Sequence, residues 1–600
     1  MMTGSVVLEL TGKLDTAATL EGETVVNGPE GGLIDWDAVS WRSVDEDVRR
    51  LRQRIFAATR AGDYKRVRSL QKLMLRSRSN ALVSVRRVTE VNDGRATAGL
   101  DGKVITSSRE KAELVDEIQR SGNTWRTRPV KRVFIPKANG KRRPLGIPVI
   151  ADRAQQARVR NALEPEWEAR FEPRSYGFRP GRGCHDAIEA IFRTACRAQS
   201  TRLWVLDADL KSAFDRINHD LLLDLIGYFP ARELVKRWLT AGVVEKGHFT
   251  PTVEGTPQGG VISPLLLNIA LHGMERAAGV LYQQNQREAA RTRPSSPVLV
   301  RYADDVVALC HSRDEVEQVK QRLSQWLEPR GLVFNEEKTR IVHLSEGIDF
   351  LGFTIRRYGN KLRITPSVAS VRRFRERLRT EVRALRGSNA SEVIITLSPI
   401  IRGWAAYYRT VVSSHVFDGL DHYLWRLLYR WAVRSHRNKP KRWIVTRYFG
   451  KFNKARENRW VFGDRDSGRY LPYFSWTKIR RHKMVAGTAS PDDPNLTHYW
   501  ADRRRKQQRT LLSAPALRRL WAQQGRCATC GGMLLYANEP PDSILEWERW
   551  LRTTMMGIGK GWISTVKVGS PPDTRLIHSF CRKRASLESA ERSEPVSETP

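Results

Sequence analysis

The chain has 600 residues, enough for three or four domains, and its Lys and Arg outnumber Asp and Glu 103 to 65, a formal charge of +38. That excess demands a polyanionic partner, and nucleic acid fits better than a membrane surface because the basic residues lie throughout the chain and no apolar run approaches a spanning helix. Glu9, Asp15, Glu21 and Glu23 spoil both a secretory signal and a transit peptide, so residues 1–35 are expected to be a disordered tail on a cytoplasmic protein.

Ser43-Val44-Asp45-Glu46 has the form of a capping box, followed by Val44, Val48, Leu51 and Ile55 at helical spacing and by Arg49, Arg50, Arg52 and Arg54 on other faces. Gly62-Asp63 breaks this helix before a second basic one containing Val67, Leu70 and Met74; such faces suit RNA phosphates. Residues 80 to 360 alternate short apolar strands with amphipathic helices such as Ser312 to Leu327, capped by Ser312 and Glu315. Leu203-Trp204-Val205-Leu206 predicts a buried strand that delivers Asp207 and Asp209 on one face, because side chains alternate with period two. Asp207 is read as a solvated or capping residue. Gln284 to Pro297 is polar and predicts a surface insertion. Then comes Arg301-Tyr302-Ala303-Asp304-Asp305 between apolar runs at 297–300 and 306–309, the signature of a tight hairpin with two carboxylates at its turn. Adjacent buried carboxylates repel, so a site that keeps both ionised usually holds divalent cations.

Beyond Pro366 the pattern turns helical. Val371, Phe374, Leu378, Val382 and Leu385 form an apolar stripe beside a basic one of Arg372, Arg375, Arg379, Arg383 and Arg386, ending at Gly387. Phe417, Leu420, Leu424, Leu427, Leu428 and Trp431 define another core face, while Arg426, Arg430 and Arg434 repeat every fourth residue. Like charges at that spacing destabilise a lone helix, so an anionic partner is their simplest explanation. Trp404, Tyr407, Tyr408, Trp425 and Trp443 read as core aromatics rather than base-stacking platforms. Cys184, Cys196 and Cys310 are scattered, as in a reducing compartment. Cys527 and Cys530, with His578 and Cys581, have the pair spacing of a four-coordinate zinc site.

Several stretches in order resemble group II intron-encoded reverse transcriptases and maturases. Residues 135–148 are similar to the family's fingers hairpin and are followed by Ser175-Tyr176-Gly177-Phe178-Arg179-Pro180-Gly181; Gly255 to Leu265 matches its template-positioning loop. Asp209 with Phe214 five residues on, together with the Asp304-Asp305 hairpin, resembles the polymerase palm. Phe334 to Thr339 and Asp349 to Phe353 resemble later palm and primer-grip motifs, and Arg402-Gly403-Trp404-Ala405-Ala406-Tyr407-Tyr408 the maturase, or X, domain. The resemblance implies an α+β right-hand fingers and palm (36–360), a helical thumb and maturase domain (361–475), a basic DNA-binding region (476–515) around Arg503-Arg504-Arg505-Lys506, a zinc-knuckle-like module (516–585) and a disordered tail (586–600).

Its implied function is RNA-directed DNA synthesis, with maturase action on intron RNA and retrohoming into a DNA target, by a bacterial-type, nucleoid-associated protein. Asp209, Asp304 and Asp305 would hold two magnesium ions. Lys137 and Arg143 would clamp the deoxynucleoside triphosphate, Phe214 would gate the sugar 2′ position, and Gln258 would contact nucleotide and template. Arg426, Arg430 and Arg434 would bind intron RNA. The C-terminal region resembles a degenerate His-Asn-His endonuclease: residues 531–577 contain no His, and Arg582 stands where the family continues Cys-His. A zinc ion could remain there without cleavage chemistry. Two other readings compete: an RNA-binding splicing factor with a vestigial polymerase, which the intact carboxylates oppose, and a retron or repair reverse transcriptase, which the Arg-Gly-Trp-x-x-Tyr-Tyr run and the cysteine module oppose.

Overall fold

The computed structural model describes residues 34–121, 124–136, 142–283, 291–453, 456–508, 522–523, 526–529, 563–568 and 573–578. Both expected tails lie outside these residues except for Ile34 and Asp35, and Asp35 already caps the turn Trp36–Ala38. Helices Trp41–Arg60, Tyr64–Arg76, Arg78–Arg86, Ser108–Arg120 and Ile150–Arg170 build the N-terminal part of the first core. The first of them corrects the sequence reading. It starts at Trp41 rather than behind Ser43, and Glu46 pairs with Arg42 at 3.3 Å instead of closing a capping box. Packing decides this, since Trp41 is buried edge-on against Trp36 at 4.9 Å and draws the helix start upstream. Asp63 caps the second helix, where the Gly62-Asp63 break predicts a boundary.

Strands β1 (Val130–Pro136) and β2 (Arg142–Ile147) form an antiparallel hairpin. Strand β3 (Trp204–Asp209) comes next, then β4 (Val243–Glu245) and β5 (His248–Thr250), which extend the hairpin into a sheet of order β2-β1-β4-β5. Strands β6 (Val298–Tyr302), β7 (Asp305–Cys310) and β8 (Arg340–His343) pair with β3 in the order β6-β7-β3-β8, antiparallel throughout. This second sheet separates two cores. Leu206, Ala208, Leu299, Val306 and Ala308 face the N-terminal helices, whereas Val205, Val298, Val300, Val307 and Leu309 face the later helical part. Covering both faces explains why these strands read as continuous apolar runs. Each fully buried Val or Leu contributes about 2 kcal/mol, so the sheet makes a rigid base for the polar residues at its end.

A three-stranded sheet of β9 (Ile348–Phe350), β10 (Phe353–Tyr358) and β11 (Lys361–Pro366) leads into helices Val368–Ala384, Ala390–Tyr408, Ser414–Ser435 and Lys441–Tyr448. Trp404, Tyr407 and Tyr408 lie buried in this second core, as the sequence predicts, and Trp425 is partly buried. Trp443 is a correction: it is 36% exposed, its ring against His436 and Lys439.

The following segment folds back over the earlier part of the chain. Asp186 accepts from His482, from the Val485 amide and from Arg503; Arg182 donates to the carbonyls of Gly487 and Ala489; Arg52 pairs with Asp492 at 2.7 Å. Arg503 is therefore committed to an internal carboxylate. The side chains of Arg504, Arg505 and Lys506 lie outside the described residues.

Candidate active site

The sheet register brings the carboxylates together. Asp209 at the end of β3 lies directly opposite Asp305 at the start of β7, and both share the face occupied further along by Val205 and Leu309. Tyr302 pairs with Asp305, leaving Ala303 and Asp304 as a two-residue turn. Ala303 takes φ 58°, a conformation such a hairpin usually reserves for glycine. Asp207 lies on the same face one pair inward, but it is neither solvated nor a cap. It pairs with Arg340 of β8 at 2.8 Å, which corrects the sequence reading; the cross-strand register Asp207↔Arg340 places the cation there.

Electrostatics confirm a strained cluster. Burial first, then repulsion from Asp304 and Asp209, pushes the Asp305 carboxyl up to about 7. Burial also raises Asp304, opposed by a hydrogen bond from its own amide and by the positive charges of Arg143 and Lys338. Lys338 donates to Asp209, and that bond holds the ammonium above its ordinary range. Among the described residues no three ligating side chains close on a single point, and the Lys338 ammonium occupies part of Asp209. The donor set nevertheless fits a divalent cation: three oxygen-only ligands with excess negative charge, one of them already neutralised by a monovalent stand-in.

Arg143 and Gln258, two of the residues expected to face the nucleotide, lie beside the carboxylates. Arg143 of β2 donates to Gln258 at 2.7 Å and lies close enough to lower the Asp304 carboxyl. Gln258 is held by its own carbonyl, which accepts from Gly146, and Gly259 at φ 122° permits this approach, since a Cβ there would meet the Gly146 oxygen at 2.5 Å. Lys137 lies outside the described residues. Phe214 is buried with its ring edge-on to Phe178 at 6.1 Å, and Phe178 is 42% exposed beside the Ala303 turn. Sequence reasoning assigned no role to Lys338, Phe178, Arg301 or Asn268. Lys338, Phe178 and Arg301 left a signal only by standing in motifs already quoted, and Asn268 left none.

Arg426, Arg430 and Arg434 all point to solvent from helix Ser414–Ser435, while Phe417, Leu420, Leu424, Leu428 and Trp431 on the opposite side are buried. In the C-terminal module Cys527 is buried, and the amide of Ala528 donates to Leu576 of the strand 573–578 at 3.2 Å. Cys530, Cys581 and the His578 side chain lie outside the described residues.

Three family models match in register with this geometry: an N-terminal domain of reverse transcriptase over 36–118, a reverse transcriptase (RNA-dependent DNA polymerase) over 135–355, and a group II intron maturase-specific domain over 371–449. The Escherichia coli protein YkfC is 35% identical over 322 residues, covering 48% of this chain and 84% of YkfC. The group II intron-encoded protein LtrA of Lactococcus lactis is 33% identical over 322 residues, 44% of this chain and 53% of LtrA. The chain belongs to the group II intron-encoded reverse transcriptases and maturases. Maturase-like protein 1 of Euglena gracilis, 24% identical over 369 residues, extends the likeness over 60% of the chain and 74% of that protein. A solved telomerase from Candida tropicalis aligns over 39% of the chain at TM-score 0.29 and 17% identity, too slight to bear on the fold. Reverse transcription is the activity of this family, and no helix among the described residues is long and apolar enough to cross a membrane.

Proposed function

We propose that this reverse transcriptase extends a DNA primer on intron RNA at Asp209, Asp304 and Asp305, and that the same chain binds that RNA to promote its splicing and to copy it at a DNA target. The observation that carries the reading is the Asp209↔Asp305 register with Asp304 at the adjoining turn, facing Arg143. Two magnesium ions held there would activate the primer 3′ hydroxyl and neutralise the pyrophosphate leaving group. Arg143 presents a guanidinium fork to the incoming triphosphate, joined by Lys137, which lies between β1 and β2 in sequence, while Gln258 orients that fork. The Phe214 ring, fixed by burial and by Phe178, excludes a 2′ hydroxyl by overlap. Arg426, Arg430 and Arg434 contact RNA phosphates from an exposed stripe. Such a protein works in the bacterial cytoplasm on nucleoid DNA.

For the C-terminal module we propose one structural zinc on Cys527, Cys530, His578 and Cys581, with no cleavage of the target strand, because the stretch between the ligand pairs lacks a histidine base. The bond from Ala528 to Leu576 supports this by setting Cys527 beside the strand that ends at His578. The main test is labelled deoxynucleotide incorporation on a primed RNA template in magnesium. Protein that binds the template yet incorporates nothing would overturn the polymerase reading. For the module, metal analysis should find one zinc per chain, and protein-dependent cutting of a labelled duplex target would refute the missing nuclease.

A further inference from the structure

Directly behind the catalytic turn lies an arginine that the site as described leaves without a purpose. Arg301 is only 2% exposed, and its guanidinium donates to neutral oxygens: Asn268 Oδ1 at 2.9 Å, Ser175 Oγ at 2.6 Å and the Ala303 carbonyl at 3.2 Å, with its Nε unpartnered. Glu172, Glu275 and Asp304 supply counter-charge nearby, yet burial still costs a guanidinium much of its hydration, and an apolar side chain would carry no such penalty. The contact with Ala303 gives the cost a use. The Ala303 carbonyl and the Asp304 amide are the two ends of one peptide unit, so Arg301 grips the rear of the peptide that leads into Asp304. The grip is braced from below: Asn268, which accepts from Arg301, donates to the Gly177 carbonyl at 2.9 Å, and Gly177 lies so tightly under the turn that a Cβ there would come within 2.3 Å of the Ala303 nitrogen. Backbone bonds from Tyr176 to the Arg301 carbonyl and from Arg301 to the Arg174 carbonyl fix the base of the strand.

We propose that Arg301, braced by Asn268, is a positioning residue that holds the left-handed Ala303 turn so that Asp304 meets a divalent cation in a productive orientation. The proposal rests on Asp304 being a metal ligand. Partners that orient a ligand commonly change metal affinity or activity by about 10- to 100-fold when removed. Arg301→Met should therefore lower kcat in primer extension and weaken Mn2+ binding to the protein–primer–template complex, read by electron paramagnetic resonance, each by about 10- to 100-fold. The KM for deoxynucleotide and the affinity for RNA should hardly move. Arg301→Lys should recover much of the loss, because an ammonium can still donate to the Ala303 carbonyl. Near-native kcat and Mn2+ affinity in Arg301→Met would overturn the proposal, as would a Lys variant no better than Met. Should Arg301→Met fail to fold, Asn268→Leu decides: a loss in both readouts supports the clamp, and native values in both refute it. Asp304→Asn, run in parallel, separates the two ideas, since an active Asp304→Asn enzyme refutes the site itself, whereas an inactive one beside a native Arg301→Met enzyme refutes only the clamp.

Discussion

The Asp304-Asp305 hairpin and the helix Ser414–Ser435 both crowd like charges together, and they resolve the crowding in opposite ways. At the hairpin the carboxylates sit on a sheet buried on both faces, cannot move apart, and are answered inside the chain by Lys338 and Arg143. On the helix the three arginines stand exposed on long side chains, and high dielectric already weakens their repulsion. The difference teaches that the buried cluster is organised for a small ion at a fixed point, whereas the exposed stripe is suited to an extended polyanion whose phosphates need no single geometry.

The largest effect should come from breaking the fixed point. Asp304→Asn is expected to lower cDNA synthesis on a primed RNA template about a thousandfold, roughly 4 kcal/mol of transition-state stabilisation, while RNA binding and assisted splicing persist. Equal loss of both activities in a folded variant would erase the contrast between the two regions.

Next in size is a pH effect confined to the hairpin. The Asp305 carboxyl is raised to about 7 in the folded, metal-free protein against 3.8 for an unperturbed carboxyl. A raised pKa means that the folded state holds the proton more tightly, so this stabilisation is complete below pH of about 4 and is lost as pH rises through about 7. In chelator, the stability of wild type relative to Asp305→Asn should fall across that window by about 4 kcal/mol. Magnesium at pH 8 should reverse the fall. Parallel denaturation curves for the two proteins at every pH would contradict the assignment.

On the exposed side, changing Arg426, Arg430 and Arg434 together to Gln should flatten the plot of log affinity for structured intron RNA against log salt by about 2 to 3 units of slope, since each lost phosphate contact accounts for about 0.7 to 0.9. Extension on a short oligonucleotide template should be little changed. An unaltered slope makes the stripe an ordinary solvated face. The smallest effect tests where the hairpin's surroundings meet the sugar: Phe214→Val should raise ribonucleotide relative to deoxyribonucleotide incorporation by about tenfold, measured by single-nucleotide extension. Should the preference stay put, Phe214 belongs to the core that surrounds it.

Much of this site was legible because local chemistry and strand period sufficed. Asp209, Asp304 and Asp305 each stand at the end of a short apolar run, and such runs reveal where a buried strand meets solvent. The helix stripe was equally legible, since a four-residue repeat of Arg opposite a repeat of Leu and Trp specifies two faces without reference to anything else. Asp207 was misread because its partner Arg340 is supplied by a strand 133 residues away. The start of the first helix was misread because a local capping signal lost to the burial of Trp41 against Trp36.

By itself, then, the sequence determined the local pattern: carboxylates at strand ends, basic faces and apolar stripes, all of them properties of residues within a few positions of one another. Tertiary structure alone decided what those residues lean on. Lys338 on Asp209, Arg143 on Gln258, Arg301 behind Ala303 and the 480–503 segment locked to Asp186 all join positions far apart in the chain or buried behind a turn. The physical reason is that periodicity encodes which face of an element is apolar, while the counter-charge for a buried group is chosen by whichever distant element packs against it.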